Sequence, residues 1–84
     1  MSLIIDVPEQ LSADTQALVS SFAEALAEKL YQADLKYNFQ DNWKETDWMN
    51  TCREQLREHL EKGDPRDVAI YAAFLWYHGE TTKI

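Results

Sequence analysis

Glu54, Glu58 and Glu61 recur at four- and three-residue steps. On a helix that spacing puts three carboxylates on one face, as a divalent-cation site requires. Three basic residues, Arg53, Arg57 and Lys62, stand near enough to neutralise them. At about 100° per residue the acidic stripe lies opposite the one through Cys52, Leu56 and Leu60, so it should face water. A metal site would also need carboxylates from a facing helix, and the chain offers none between Asp67 and Glu80. The two histidines share no metal-ligand spacing. His59 falls at the edge of an apolar face, and His78 closes a helix, where the dipole favours a cation. Cys52 and His59 stand about 10 Å apart along one helix, too far for a nucleophile–base pair. Cys52 therefore reads as a small core residue. No glycine-rich phosphate loop and no Ser/His/Asp pattern appears. The sequence leads us to expect no catalytic residue, no metal site and no cofactor, and a protein that is not an enzyme.

The elements that position these residues are legible. Ser12 is a good N-cap with Asp14 in the first turn, so a first helix is expected from Ser12 to about Lys36. Leu18, Val19, Phe22, Leu26, Leu30 and Ala33 form its apolar stripe. A loop is expected over 37–45, built on the turn formers Asn38, Asp41 and Asn42. A second helix should be capped by Thr46, with Trp48, Met49, Cys52, Leu56 and Leu60 buried. Gly63 ends it. Asp64-Pro65 then reads as an N-cap followed by proline at the first helical position. The third helix should run over 65–78 and stop at Gly79. It carries no charge from Val68 to Tyr77, so it is expected to be buried all round, with Phe74 in the core. Leu3, Ile4, Ile5 and Val7 read as an extended segment closed by Pro8.

Two features exceed what a core requires. Tyr31 and Leu35 fall on the polar face of the first helix with Glu24 and Glu28. Tyr37, Phe39 and Trp43 crowd the loop that follows, either as a lid on the core or as a groove for a ligand or peptide. These seven residues are the candidate partner surface.

Charge narrows the partner classes. The 84 residues carry fifteen acids and eight bases, a net charge of -7, which argues against a nucleic-acid backbone as partner. Residues 1–35 hold six acids and one base, a balance of -5, so the acidity belongs to the first third. A composition 45% hydrophobic and 27% charged is that of a globular chain. One cysteine allows no internal disulfide and points to a reducing compartment. No apolar run approaches the roughly 20 residues that span a bilayer, and no basic segment of signal-peptide type opens the sequence.

Two segments, Ala33 to Trp43 and Lys62 to Gly79, resemble a small helical family carried by tailed phages and prophages of enteric bacteria. The resemblance spans about residues 20–82. It implies a phage-encoded accessory protein in a bacterial host cytoplasm, and it implies no particular activity. Gly63 to Ala69 also resembles the helix start of the MazG-type all-α nucleotide pyrophosphohydrolases. Those enzymes continue with a Glu-x-x-Asp pair that binds magnesium, where this chain has Ile70 to Phe74, and the activity does not carry across.

The expectation is thus an all-α, three-helix domain over 12–84, with an extended N-terminal arm over 1–11 and helix three central. Its expected function is binding an unidentified host or phage protein, without direct nucleic-acid or membrane contact. The alternatives are a degenerate or oligomer-dependent MazG-like hydrolase and an acidic nucleic-acid mimic that inhibits a host protein. Three apolar surfaces stay unsatisfied in so short a chain: the arm, the Tyr31/Leu35 patch and the outer side of helix three. A homodimer through the arm and helix three is the expected solution.

Overall fold

The computed structural model describes residues 5–83. The fold is all-α, with three helices and no strand among the described residues. Helix α1 spans Ala13–Tyr37, α2 Met49–Lys62 and α3 Pro65–Tyr77, with a 3₁₀ turn at Asn42–Lys44 before α2. Leu3 and Ile4 of the expected arm lie outside the described residues. Residues 5–11 carry no helix or strand; a turn there is closed by the Leu11 N–H donating to the Pro8 carbonyl at 3.0 Å.

Most boundaries follow the local chemistry of the sequence. The Ser12 side chain accepts from the Thr15 N–H and caps α1. Asn38, at φ 56°, ends it in the left-handed region that asparagine tolerates. Asp64 caps α3, accepting from the Arg66 N–H at 2.9 Å, with Pro65 opening the helix. Gly63, at φ 92°, makes the sharp exit from α2 that lets α3 fold straight back. The start of α2 departs from expectation. It begins at Met49 with Trp48 at the cap and no side-chain capping bond, not at Thr46. The Trp48 ring is held instead by packing and by its Nε1–H donating to the Trp43 carbonyl at 3.3 Å. Tertiary contact thus outweighs a cap worth about 1 kcal/mol.

Helix α3 is central. It packs against both α2 and α1, most extensively against α2, while α1 and α2 barely meet. The three helices therefore form an open layer with α3 in the middle. The core is Met49, Cys52 and Leu56 from α2 with Leu75 from α3, flanked by Trp48, Val68, Tyr71, Ala72 and Phe74. Ile70 is buried as well. On a helical wheel Ile70 lies about 140° from Leu75, as expected of a helix covered on two sides.

An open layer corrects three burial expectations. No residue of α1 is buried, and Leu18 in its apolar stripe stays 66% exposed, because only α3 covers that helix. Leu60 of α2 projects past the core and is exposed. Helix α3 is not buried all round: Ala73 and Tyr77 are exposed and Trp76 is 81% exposed. Phe74 is half-buried. The uncharged run of α3 is thus longer than two neighbours can cover.

Candidate functional site

The seven candidate residues separate into three groups. Glu24, Glu28, Tyr31 and Leu35 follow one another at four-, three- and four-residue steps on α1, which aligns them on one face. All four are exposed, Tyr31 at 57% and Leu35 at 64%. Neither the loop nor residues 5–11 covers them. Glu28 accepts from Gln32 Nε2 at 2.9 Å, which fixes its carboxylate along the helix. Among the described residues no ion pair reaches Glu24 or Glu28, since Lys29 on the opposite side bridges Asp64 and Asp67 of α3 at 3.5 Å each. The outer face of α1 is therefore negative with an apolar end.

Tyr37 and Phe39 form a second group at the end of α1. Their rings stack at 5.1 Å, and both remain about half exposed. The positive φ of Asn38 turns the chain sharply enough to bring the two rings together. Lys36 Nζ lies 5.0 Å from the Tyr37 ring, a cation–π contact at a wet site.

Trp43 leaves the surface. Its ring stacks on Phe74 at 5.9 Å and meets Tyr77 edge-on at 4.8 Å. Its carbonyl accepts from Trp48 Nε1–H and from His78 Nε2–H, the latter at 2.7 Å. The 3₁₀ turn at Asn42–Lys44 aims Trp43 inward. The loop is thus a lid at one end and an exposed aromatic pair at the other, and the two readings of its aromatics each hold for part of it. The role of His78 in clamping this lid was missed in the sequence. Its distance of 35 positions from Trp43 leaves no local signal.

Of the residues considered for chemistry, the three glutamates face water as the wheel put them, but among the described residues no ion pair joins them to Arg53, Arg57 or Lys62, and Arg53 pairs with Glu80 instead. Glu54, Glu58 and Glu61 are exposed on α2, and no metal-holding group of side chains occurs among the described residues. His59 donates from Nδ1 to the Gln55 carbonyl at 2.8 Å and packs on Tyr71. Cys52 is fully buried, and burial pushes its thiol up to about 11. Its S–H points at the Tyr71 carbonyl 3.5 Å away. A protonated, enclosed thiol is a poor nucleophile. The Arg66 guanidinium and N–H hold the Asp64 carboxyl well below the usual carboxylate range, and Lys29 adds to the effect. The Lys29–Asp64 bridge joins the α2–α3 turn to α1. Arg53 binds Glu80 and the Thr81 carbonyl, which ties the chain beyond α3 back to α2.

No family model, curated protein or solved structure matches the chain. No helix among the described residues is long and apolar enough to cross a membrane.

Proposed function

We propose that the chain is a non-enzymatic protein-binding module, a phage or prophage accessory protein of the bacterial host cytoplasm, acting as a homodimer. The observation that carries this reading is the outer stripe of α1. It presents two large apolar side chains, Tyr31 and Leu35, in line with two carboxylates that no cation neutralises among the described residues. A folded chain gains nothing from holding such side chains in water, whereas a partner gains a hot spot of aromatic and aliphatic anchors with a charged rim. The sign of the rim selects a partner with a basic groove. The phage assignment rests on the resemblance of segments 33–43 and 62–79 described above.

The test is a paired capture. Wild-type protein and a Tyr31→Ser/Leu35→Ser variant, both shown folded by circular dichroism, are used as baits in lysate of an infected enteric host. A host or phage protein retained by the wild type and lost by the variant supports the reading. Identical captures overturn the assignment of this surface. Magnesium-dependent turnover of any nucleotide by the purified protein overturns the non-enzymatic reading in favour of the hydrolase alternative.

A further inference from the structure

Helix α1 is joined to the hairpin by one flank and one hinge. The flank is that of α3, since α1 barely meets α2 and encloses no residue. Leu26 and Ala33, both half-buried, share a helix face with Lys29, and Lys29 bridges Asp64 and Asp67 of α3 at 3.5 Å each.

The hinge is residues 38–42. Trp43 pins the chain that follows to the hairpin, with its ring on Phe74 and its carbonyl accepting from Trp48 and His78. Before Trp43 the backbone bonds are local: the Asn38 N–H donates to the Asp34 carbonyl and the Asn42 N–H to the Phe39 carbonyl. Asn38 and Gln40 stand at φ 56° and φ 51°. Both are left-handed, a conformation that a Cβ opposes. Asparagine tolerates it, whereas glutamine is uncommon there. The Gln40 side chain gains only a long contact to Asn38 Oδ1, 3.4 Å away, among the described residues. Extending the hinge relieves both positions. It then reaches roughly 17 Å, well beyond the ~10 Å that separates packed helices, so α1 can leave its own α3. Tyr37 and Phe39 stay neighbours in the open hinge, because residues two apart in an extended segment share a face.

What the flank of α3 receives is visible in the fold itself. It fits an α1 helix, with a lysine set between Asp64 and Asp67. A second copy brings an identical α1, so an exchange keeps every α1–α3 contact and changes the hinge alone. Hinges under strain favour such exchanges.

We infer that two copies of this chain exchange α1, each laying its helix on the α3 flank of the other, with residues 38–42 as the hinge. This rests on the homodimer reading above and gives it a mechanism. The outer stripe with Tyr31 and Leu35 faces outward in either arrangement and stays available to the other partner.

Carbodiimide coupling of the full chain tests it, because it welds Lys29 to Asp64 or Asp67 wherever they pair. Isotopically heavy and light chains are unfolded together in urea, refolded at about 100 μM, coupled and digested. Exchange predicts that about half of the peptides cross-linked between Lys29 and either aspartate join a heavy to a light chain. Sedimentation equilibrium reads the hinge. Gln40→Gly, which accepts a positive φ, should raise the dimer dissociation constant about ten-fold, and Gln40→Val, which resists it, should lower it by a similar factor, since each dimer opens two hinges. Gln40 is exposed, so both variants should keep the helical circular dichroism of the wild type. A dimer whose Lys29 cross-links all lie within one isotope overturns the exchange and leaves the homodimer standing on another contact. A dissociation constant indifferent to both substitutions overturns residues 38–42 as the hinge. A wild type that stays at 9.8 kDa at that concentration overturns both the exchange and the homodimer.

Discussion

The α2–α3 hairpin and α1 are built from similar amounts of apolar sequence and use it differently. The hairpin encloses Met49, Cys52, Leu56 and Leu75 in one cluster, with Ile70 buried apart from it on another side of α3. Helix α1 is almost twice as long as either partner, yet encloses no residue. The cause is geometric. Gly63 and the Asp64 cap fold α3 directly onto α2, whereas α1 arrives after an eleven-residue connection and finds only one flank of α3 open. Its attachment is made of half-buried contacts, helped by Lys29 bridging to Asp64 and Asp67. The hairpin should therefore hold the stability, and α1 the surface available to partners.

The largest effect that distinguishes the two regions is expected at Leu75, which is 1% exposed. Leu75→Ala should destabilise by roughly 2–5 kcal/mol in urea titration, a large part of the about 5–10 kcal/mol a small domain has. Phe74→Ala should cost less, roughly 2–3 kcal/mol, because the ring is half-buried, although Trp43, Trp48 and Tyr71 all touch it. Equal costs for the two would mean that the aromatic lid contributes as much as the hairpin core.

Hydrogen exchange extends the comparison from single residues to whole helices. Amides in the middle of α1 should exchange through openings cheaper than those that expose Cys52 or Leu75, since few buried contacts hold α1 down. The same opening hierarchy predicts that Cys52 reacts with a thiol reagent only as the hairpin unfolds. Its rate should follow the urea dependence of α2 and α3 protection, not that of α1. A Cys52 rate that tracks α1 would mean α1 guards the core.

Local chemistry made much of this legible in the sequence. Ser12, Gly63, Asp64-Pro65 and Gly79 each act within a few residues of themselves, so they marked the helix ends wherever a cap decides them. Thr46 failed because the indole of Trp48, anchored to the Trp43 carbonyl, decides that boundary instead. Burial was less legible. A 3.6-residue stripe shows which side of a helix can be buried, but not whether a neighbour arrives to cover it. The stripe through Leu18 and the uncharged face of α3 both looked like core on that ground. The candidate surface split for the same reason: Tyr31 and Leu35 stand out on a polar face from spacing alone, whereas Trp43 is drawn in by Phe74, Tyr77 and His78, more than thirty positions away.

A smaller effect probes the joint between the two regions. Asp64 ionises at lower pH in the folded chain than in the unfolded one, because Arg66 and Lys29 favour its charged form. The folded state then holds fewer protons than the unfolded state below about pH 4, the ordinary range for an unfolded aspartate. Its contribution to stability is complete above that pH and falls away as the medium becomes more acid. Asp64→Asn keeps a capping oxygen and removes the titration. The variant should lose stability less steeply than the wild type between about pH 4 and pH 2 in urea titrations. Parallel slopes would mean that the carboxylate is equally ionised in both states.

The smallest expected effect is at Leu18, and it tests whether α1 is as uncovered as it looks. Leu18 is 66% exposed, so truncation removes little buried area, and alanine is the better helix former. Leu18→Ala should therefore change stability by less than about 0.5 kcal/mol, as surface substitutions do. The measurement gains force when made at two protein concentrations. A cost above about 1 kcal/mol that grows with concentration would place Leu18 in the contact between copies. The same cost without concentration dependence would mean that α1 is covered within its own chain, and the contrast between hairpin and α1 would weaken accordingly. No cost at either concentration leaves α1 as a helix held by one flank, with its remaining surface turned outward.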